Sequence, residues 1–392
     1  MTAKEFMNLV MKFADRPEDV VLGNRTLIAE VHQQTVEVCV TLKDGIVYCI
    51  EEDGNEILAE RWVVRHLGNI DLLANRILEF IPKDTSVIPA RAQVTHMEES
   101  DNEITEIEDI VDYMPKMIEN APPLTTNIIY VTSAAGEGKT YCINTLAREQ
   151  AQKYLKRKSN WIVLPISMHG KQMMRLDGVV IASLANDMHF RYLPFEALLE
   201  LVKRKVIVLA LDGFEEMFIE SQTGEVASSM SNLVARLDSQ GTLIFAAREA
   251  YYRYSNLETQ AKLQRSIRDM NVAFGEAKLK RWNSHQFILC CEKKGLNSEE
   301  ALRVYRTLEA SLSENHPIIT RAVLARKAID EIAEAGEVEE FGRVLGKNGE
   351  SNPEIVFERF VKALLVREAT EKWLDRAGDA ASPLLSTEEH IV

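Results

Sequence analysis

Residues 131–141, VTSAAGEGKTY, gather small side chains ahead of a lysine and a threonine. Small side chains and glycines let successive backbone N–H groups turn inward around an anion, because some positions of such a loop need positive φ. Ser133, Ala134, Ala135, Gly136, Glu137 and Gly138 form the candidate loop, followed by Lys139, Thr140 and Tyr141. Lys139 is placed to reach β- and γ-phosphates, and the Thr140 hydroxyl to ligate Mg²⁺. Ser133 stands where such loops usually open with glycine, and serine fits there if its φ stays negative. Further along, KVIVLALDGFEEMF carries Asp212 at the end of an apolar run, where a strand would deliver a carboxylate to the Mg²⁺ shell. Glu215 and Glu216 follow, and either can polarise an attacking water as general base. A third run, GTLIFAAREAYYR, ends in Arg248, a candidate γ-phosphate sensor at a strand terminus.

Each piece alone reads as a buried strand ending in a solvated turn. Their order along the chain changes the weight: loop, lysine and threonine first, then the acidic strand end, then the arginine. Together they imply a site for a nucleotide with Mg²⁺, and hydrolysis as the reaction class.

These residues need a scaffold that delivers them to one place. NIIYVTS (127–133), NWIVLPISM (160–168), VIVLALDG (206–213), TLIFAAR (242–248) and NVAFGEAKL (271–279) are short, mostly apolar runs. Segments of helical period lie between them, such as TYCINTLAREQAQKYLKRK and PFEALLELVKRK. Apolar strands alternating with amphipathic helices predict an α/β fold, a parallel sheet covered by helices, over 126–282. From 283 to 392 the runs are helical in pattern, predicting a helical lid or adaptor. Residues 1–94 predict a small α+β unit with a hairpin turning at Asp44-Gly45. Residues 95–111 hold seven carboxylates and no lysine or arginine, so 95–125 reads as an acidic linker leading into a short helix. Glu30, Asp44, Glu51 and Glu52 lie around the hairpin, but no suitably placed lysine completes a nuclease site, and solvated acidic residues are the expectation.

The totals narrow the classes. A chain of 392 residues suggests two or three domains. A net charge of −14 disfavours non-specific binding to nucleic acid. The basic stretches KYLKRKSNW and LVKRK end helices, where cations complement the dipole. EAYYRYSN clusters aromatics beside Arg248, with packing or a partner contact as the expectation rather than base stacking. No apolar run approaches the ~18 residues of a membrane span, and the N-terminus lacks signal-peptide form. Five cysteines without metal-ligand spacing fit reduced thiols in a cytoplasmic protein.

Asp-Gly-Phe-Glu-Glu after an apolar strand resembles the extended acidic motif of NACHT-type ATPases in the STAND group of signal-transducing P-loop ATPases. Glu215 stands where that group mostly has aspartate, and Ala246-Ala247-Arg248 where its sensor strand ends Thr-Ser-Arg. ENHPIIT resembles its proline element, which implies that Pro317 lies against adenine. The resemblance spans about 120–392. It implies a switch that holds ADP in a closed monomer, meets a protein trigger, exchanges to ATP and forms a homo-oligomer, with antiphage defence as one setting. The chain ends in PLLSTEEHIV, which reads as the start of a further helix or domain, so the expected sensor is either lost there or supplied by a partner. The competing readings are an AAA+-type motor acting on nucleic acid or protein, with Arg321, Arg326 and Arg367 as candidates for its further arginines, and a scaffold that binds nucleotide without turnover.

Overall fold

The computed structural model describes residues 1–84, 86–96, 104–169, 176–191, 193–214, 223–249, 271–312 and 314–335. By internal contacts the chain forms two units. One comprises Met1–Lys83, Gln93–Thr132 and Lys139–Lys278, and the other Asp84–Ala92, Ser133–Gly138 and the chain from Leu279 onward.

The first unit holds two sheets. Near the N-terminus, β1 (Val21–Leu22), β2 (Thr26–Val31), β3 (Gln34–Lys43), β4 (Ile46–Ile50) and β5 (Glu56–Leu58) form an antiparallel meander in chain order. Its alternation places Leu27, Ala29, Val31, Val38, Val40, Val47 and Cys49 on a buried face. The other face carries Ile28, Glu37 and Cys39. Helix α1 (Ala3–Met11) starts from a capping box between Thr2 and Glu5 and buries Phe6, Leu9 and Val10. The short α2 (Ala59–Trp62) passes into a π-turn, and α3 (Ile70–Phe80) follows.

The second sheet has seven strands. β6 (Ala92–His96) and β7 (Ile104–Ile107) come first in the chain, then helix α4 (Ile110–Glu119), β8 (Thr126–Ser133), α5 (Lys139–Leu155) and β9 (Ile162–Ser167). After these come α6 (Leu176–Ala182), α7 (Phe195–Lys203), β10 (Ile207–Asp212), α8 (Thr223–Leu237), β11 (Thr242–Arg248) and β12 (Val272–Leu279). The spatial order is β7-β6-β12-β8-β11-β10-β9. The pairs β9–β10, β10–β11 and β8–β12 are parallel. All of β8 and β10 is buried, as strands covered by helices on both faces must be. The predicted parallel sheet is therefore present, built on the five runs read from the sequence.

β6 and β7 fall partly within the stretch read as an acidic linker. Carboxylates do not prevent a strand whose acidic side chains face water. Ile104–Glu106 is exposed on both faces, and pairing within the sheet satisfies its backbone.

Helices α1, α2 and α3, or the residues just past them, are tied to α5, α7 and the residues just past those by polar contacts. Arg157 makes a bidentate pair with Asp71 at 2.8 and 2.7 Å. Arg148 on α5 donates to the Leu78 carbonyl at 2.8 Å and also to that of Ile81. Lys12 meets Glu200 at 2.5 Å, and Arg204 meets Glu60 at 2.5 Å.

The other unit is helical. α9 (Ser284–Lys293) begins at a capping box of Asn283 and Gln286. α10 (Ser298–Leu312), the single turn α11 (Pro317–Thr320) and α12 (Ala322–Ala335) follow. Trp282, Phe287, Val304, Leu308, Ile319 and Ile329 pack into one core, which Ile88 of the 84–92 segment also enters. Among the described residues no helix is long and apolar enough to cross a membrane.

Candidate functional site: a phosphate loop and an acidic strand end

In the first unit, the chain enters α5 at Lys139 and Thr140, directly after Gly138. The Thr140 hydroxyl donates to Asp212 Oδ2 at 2.6 Å. Asp212 closes β10 and is 5% exposed. It stands in register with Ser167, the last residue of β9, and with Ala246 of β11, two residues before that strand's end at Arg248. β11 lies between β8 and β10. The acidic strand is therefore one place removed from the strand leading into the loop, and Arg248 ends the strand between them.

A hydroxyl and a buried carboxylate in contact form a hard-oxygen pair suited to Mg²⁺, which keeps several waters and takes its remaining ligands from phosphate. Among the described residues no group of three or more His, Cys, Asp or Glu side chains could hold a metal by protein alone. The two-residue donor set thus fits a cation shared with a phosphorylated ligand.

His169 was not singled out from the sequence. It follows β9, and its Nε2 is 3.8 Å from Asp212 Oδ2. Its ring covers Gly213: a Cβ on Gly213 would lie 2.6 Å from His169 Cε1, and Gly213 has φ +73°. The histidine is a lone polar residue after an apolar run, and only the pairing of β9 with β10 brings it beside the carboxylate.

Below the site, Cys142 on α5 is fully buried. Burial, with Asp109 and Asp212 adding to it, pushes its thiol up to about 12. It is an inert packing residue, like the other buried free cysteines Cys49, Cys290 and Cys291.

In the other unit, the loop itself has the conformation its small residues suggested. Gly136 and Gly138 take φ +78° and +100°. Ser133 is absent from the residues of positive φ, as a serine in the opening position requires, and its hydroxyl donates to the Ala134 carbonyl at 2.9 Å. Ala135 is exposed and Tyr141, on α5, is half-buried. Glu137 is engaged at both oxygens: Oε2 accepts from the Ala134 N–H at 3.0 Å, and Oε1 meets Arg281 Nε at 3.3 Å. The Gly136 carbonyl accepts from the Val323 N–H at 3.1 Å. Arg281 also escaped the sequence reading, since it sits in a basic stretch with no spacing signal.

Pro317 opens α11, whose first turn is capped by the His316 side chain. Of the arginines considered for a motor, Arg326 is engaged with the 84–92 segment: Nη1 meets Asp84 at 3.0 Å and Nη2 donates to the Ser86 carbonyl at 2.5 Å. Glu215, Glu216 and Arg367 lie outside the described residues.

No family model matches this chain, and no curated protein matches it in sequence. Among solved structures it is similar to domain III of the Thermotoga maritima replication initiation protein DnaA, with 16% identity and a TM-score of 0.37 over 61% of this chain and 90% of that one. The Aeropyrum pernix ORC1 protein in complex with DNA gives 14% identity and 0.38 over 67% and 65%. The Aeropyrum pernix ORC2 protein, in ADPNP–ADP complexes, gives 12% and 0.35 over 72% and 82%. Identities and scores this low carry nothing about function.

Proposed function

We propose that this chain is a Mg²⁺-dependent ATPase that binds ATP and ADP and uses the difference between them as a switch. The hydrogen bond between Thr140 and Asp212 is the observation that carries the reading. It joins the first turn after a glycine-bearing loop to a buried strand-end carboxylate, the two groups that Mg²⁺ would take as protein ligands. Backbone N–H groups from Gly136 onward would receive the phosphates, with Lys139 as counter-charge and the start of α5 adding its dipole. Bound Mg²⁺ would neutralise charge on the β- and γ-phosphates. Arg248, at the end of the intervening strand, is suited to contact the γ-phosphate. Glu215 or Glu216 would hold the attacking water, with Glu216 the first choice. Pro317 against adenine rests on the family resemblance.

The switch reading is supported by the grip of the helical chain on the loop through Val323 and Arg281. In that reading ADP favours a monomer, ATP a homo-oligomer, and a protein trigger promotes exchange. The link to antiphage defence rests on sequence resemblance alone. The AAA+-type motor is the second reading, and the engagement of Arg326 by Asp84 leaves Arg321 as its candidate arginine in the described part of the helical unit. Light-scattering mass with ADP, then with ATP, together with phosphate release, tests the proposal. ATP-driven growth in mass with slow turnover supports the switch. Turnover stimulated by DNA or RNA at constant assembly favours the motor. Absence of nucleotide binding removes both.

A further inference from the structure

The phosphate loop contains a carboxylate of its own. The Glu137 side chain is 7% exposed. Burying a charge is costly unless other groups replace its water. Here the Ala134 N–H and the Arg281 guanidinium do so, at 3.0 and 3.3 Å. Arg281 follows β12 by two residues and precedes the α9 cap Asn283 by two. From α12, the Val323 N–H holds the Gly136 carbonyl at 3.1 Å. Cβ atoms added to Gly136 and Gly138 would lie 3.8 Å from those of Val323 and Ala322, respectively. The loop is therefore held at its backbone and at its only charged side chain before Lys139, both times by the chain beyond β12.

We infer that Arg281 is a positioning residue for phosphate binding, acting through Glu137. Its guanidinium neutralises the carboxylate and keeps it on the Ala134 N–H, which sets the loop's backbone. A phosphate arriving at this loop meets a neutral pair while Arg281 is in place, and a bare carboxylate once Arg281 is withdrawn. Phosphate affinity and the position of the segment bearing Arg281 are thereby linked, and by reciprocity an occupied loop retains that segment. The inference deepens the ATPase reading and rests on it for the identity of the ligand.

The test measures binding of a fluorescent ADP analogue to the full chain and to Arg281→Ala, Arg281→Lys, Glu137→Gln and the Arg281→Ala/Glu137→Gln double variant, with apo melting curves for each. Arg281→Ala is expected to weaken binding about tenfold, a value discounted for the half-exposed arginine. Arg281→Lys should retain most of the affinity. Glu137→Gln is the reference for the pair, because its amide oxygen still accepts from Ala134 but carries no charge for Arg281 to neutralise. The double variant should return to the Glu137→Gln level, since no carboxylate then needs neutralising. Unchanged affinity in Arg281→Ala, an additive double variant, or a loss that only tracks the unfolded fraction would overturn the inference. Should the wild type bind no nucleotide, the ATPase reading fails. Hydrogen exchange at the Ala134 amide then decides the positioning role: faster exchange in Arg281→Ala sustains it, and unchanged exchange sinks it.

Discussion

The Thr140 hydroxyl and the Asp212 carboxylate are joined at 2.6 Å, linking the first turn of α5 to the end of β10. If both are ligands of one cation, removing either should cost the Mg²⁺-dependent part of nucleotide binding and spare the rest. For Thr140→Ala and for Asp212→Asn, the ratio of affinities with Mg²⁺ and with EDTA should fall roughly tenfold, about 1.4 kcal/mol. Titration of a fluorescent nucleotide under both conditions measures this. A ratio equal to the wild type's would remove the cation from the pair.

Lys139 has a different expected signature. Lys139→Ala deletes the phosphate counter-charge and should abolish binding with or without Mg²⁺. Glu216→Gln should keep binding and slow phosphate release. If Glu215→Gln is the slower variant, the general base is Glu215.

Gly213 is constrained twice. Its φ of +73° is left-handed, and its missing Cβ makes room for the His169 ring. Gly213→Ala should therefore destabilise the fold by about 1–2 kcal/mol from the backbone alone, plus the displacement of His169. Adding His169→Ala should recover the steric part and leave the backbone part. Urea unfolding of the single and double variants separates the two, and an alanine variant as stable as wild type would contradict both.

The Arg148 guanidinium donates to two carbonyls near the C-terminal end of α3. Arg148→Ala leaves those acceptors without it and should cost roughly 1–3 kcal/mol in chemical denaturation. Equal midpoints for the two proteins would show that water replaces the guanidinium without loss.

Asp84 makes stability depend on acid. Burial alone would raise its carboxyl, but hydrogen bonds from the Ser86 hydroxyl and N–H and the Arg326 guanidinium bring it down to about 2. The unfolded chain then binds more protons than the folded one between its ordinary value near 3.8 and about 2. The contribution is complete above that window and is lost as pH falls through it. Asp84→Asn should flatten the pH dependence of the urea midpoint there, and a slope like the wild type's would assign the acid sensitivity elsewhere.

Much of the core was legible because its signals are local. The apolar runs that became β8, β9, β10, β11 and β12 are bounded by turns and separated by helical periods, and the burial of β8 and β10 on both faces needs no alternation. The Asp44-Gly45 turn carries its own chemistry. The strands β6 and β7 were not legible. β6 is a short run of mixed polarity and β7 lies in a run of carboxylates that looks like solvated linker, and only the neighbouring strands supply the hydrogen bonds that make them part of a sheet. His169 and Arg281 were missed for a related reason: Asp212 and Glu137, the groups they meet, are distant in sequence, and neither residue sits in a repeating spacing.

The order of residue types along the chain determined that a glycine-bearing turn, a lysine-threonine pair and a strand-end aspartate exist, because backbone conformation and burial are set by near neighbours. Only the tertiary structure decided that β11 separates the loop's strand from the aspartate's, that His169 leans on Gly213, and that Arg281 holds Glu137. Strand order and long-range charge pairing are settled by packing between segments dozens of residues apart, which no local pattern encodes.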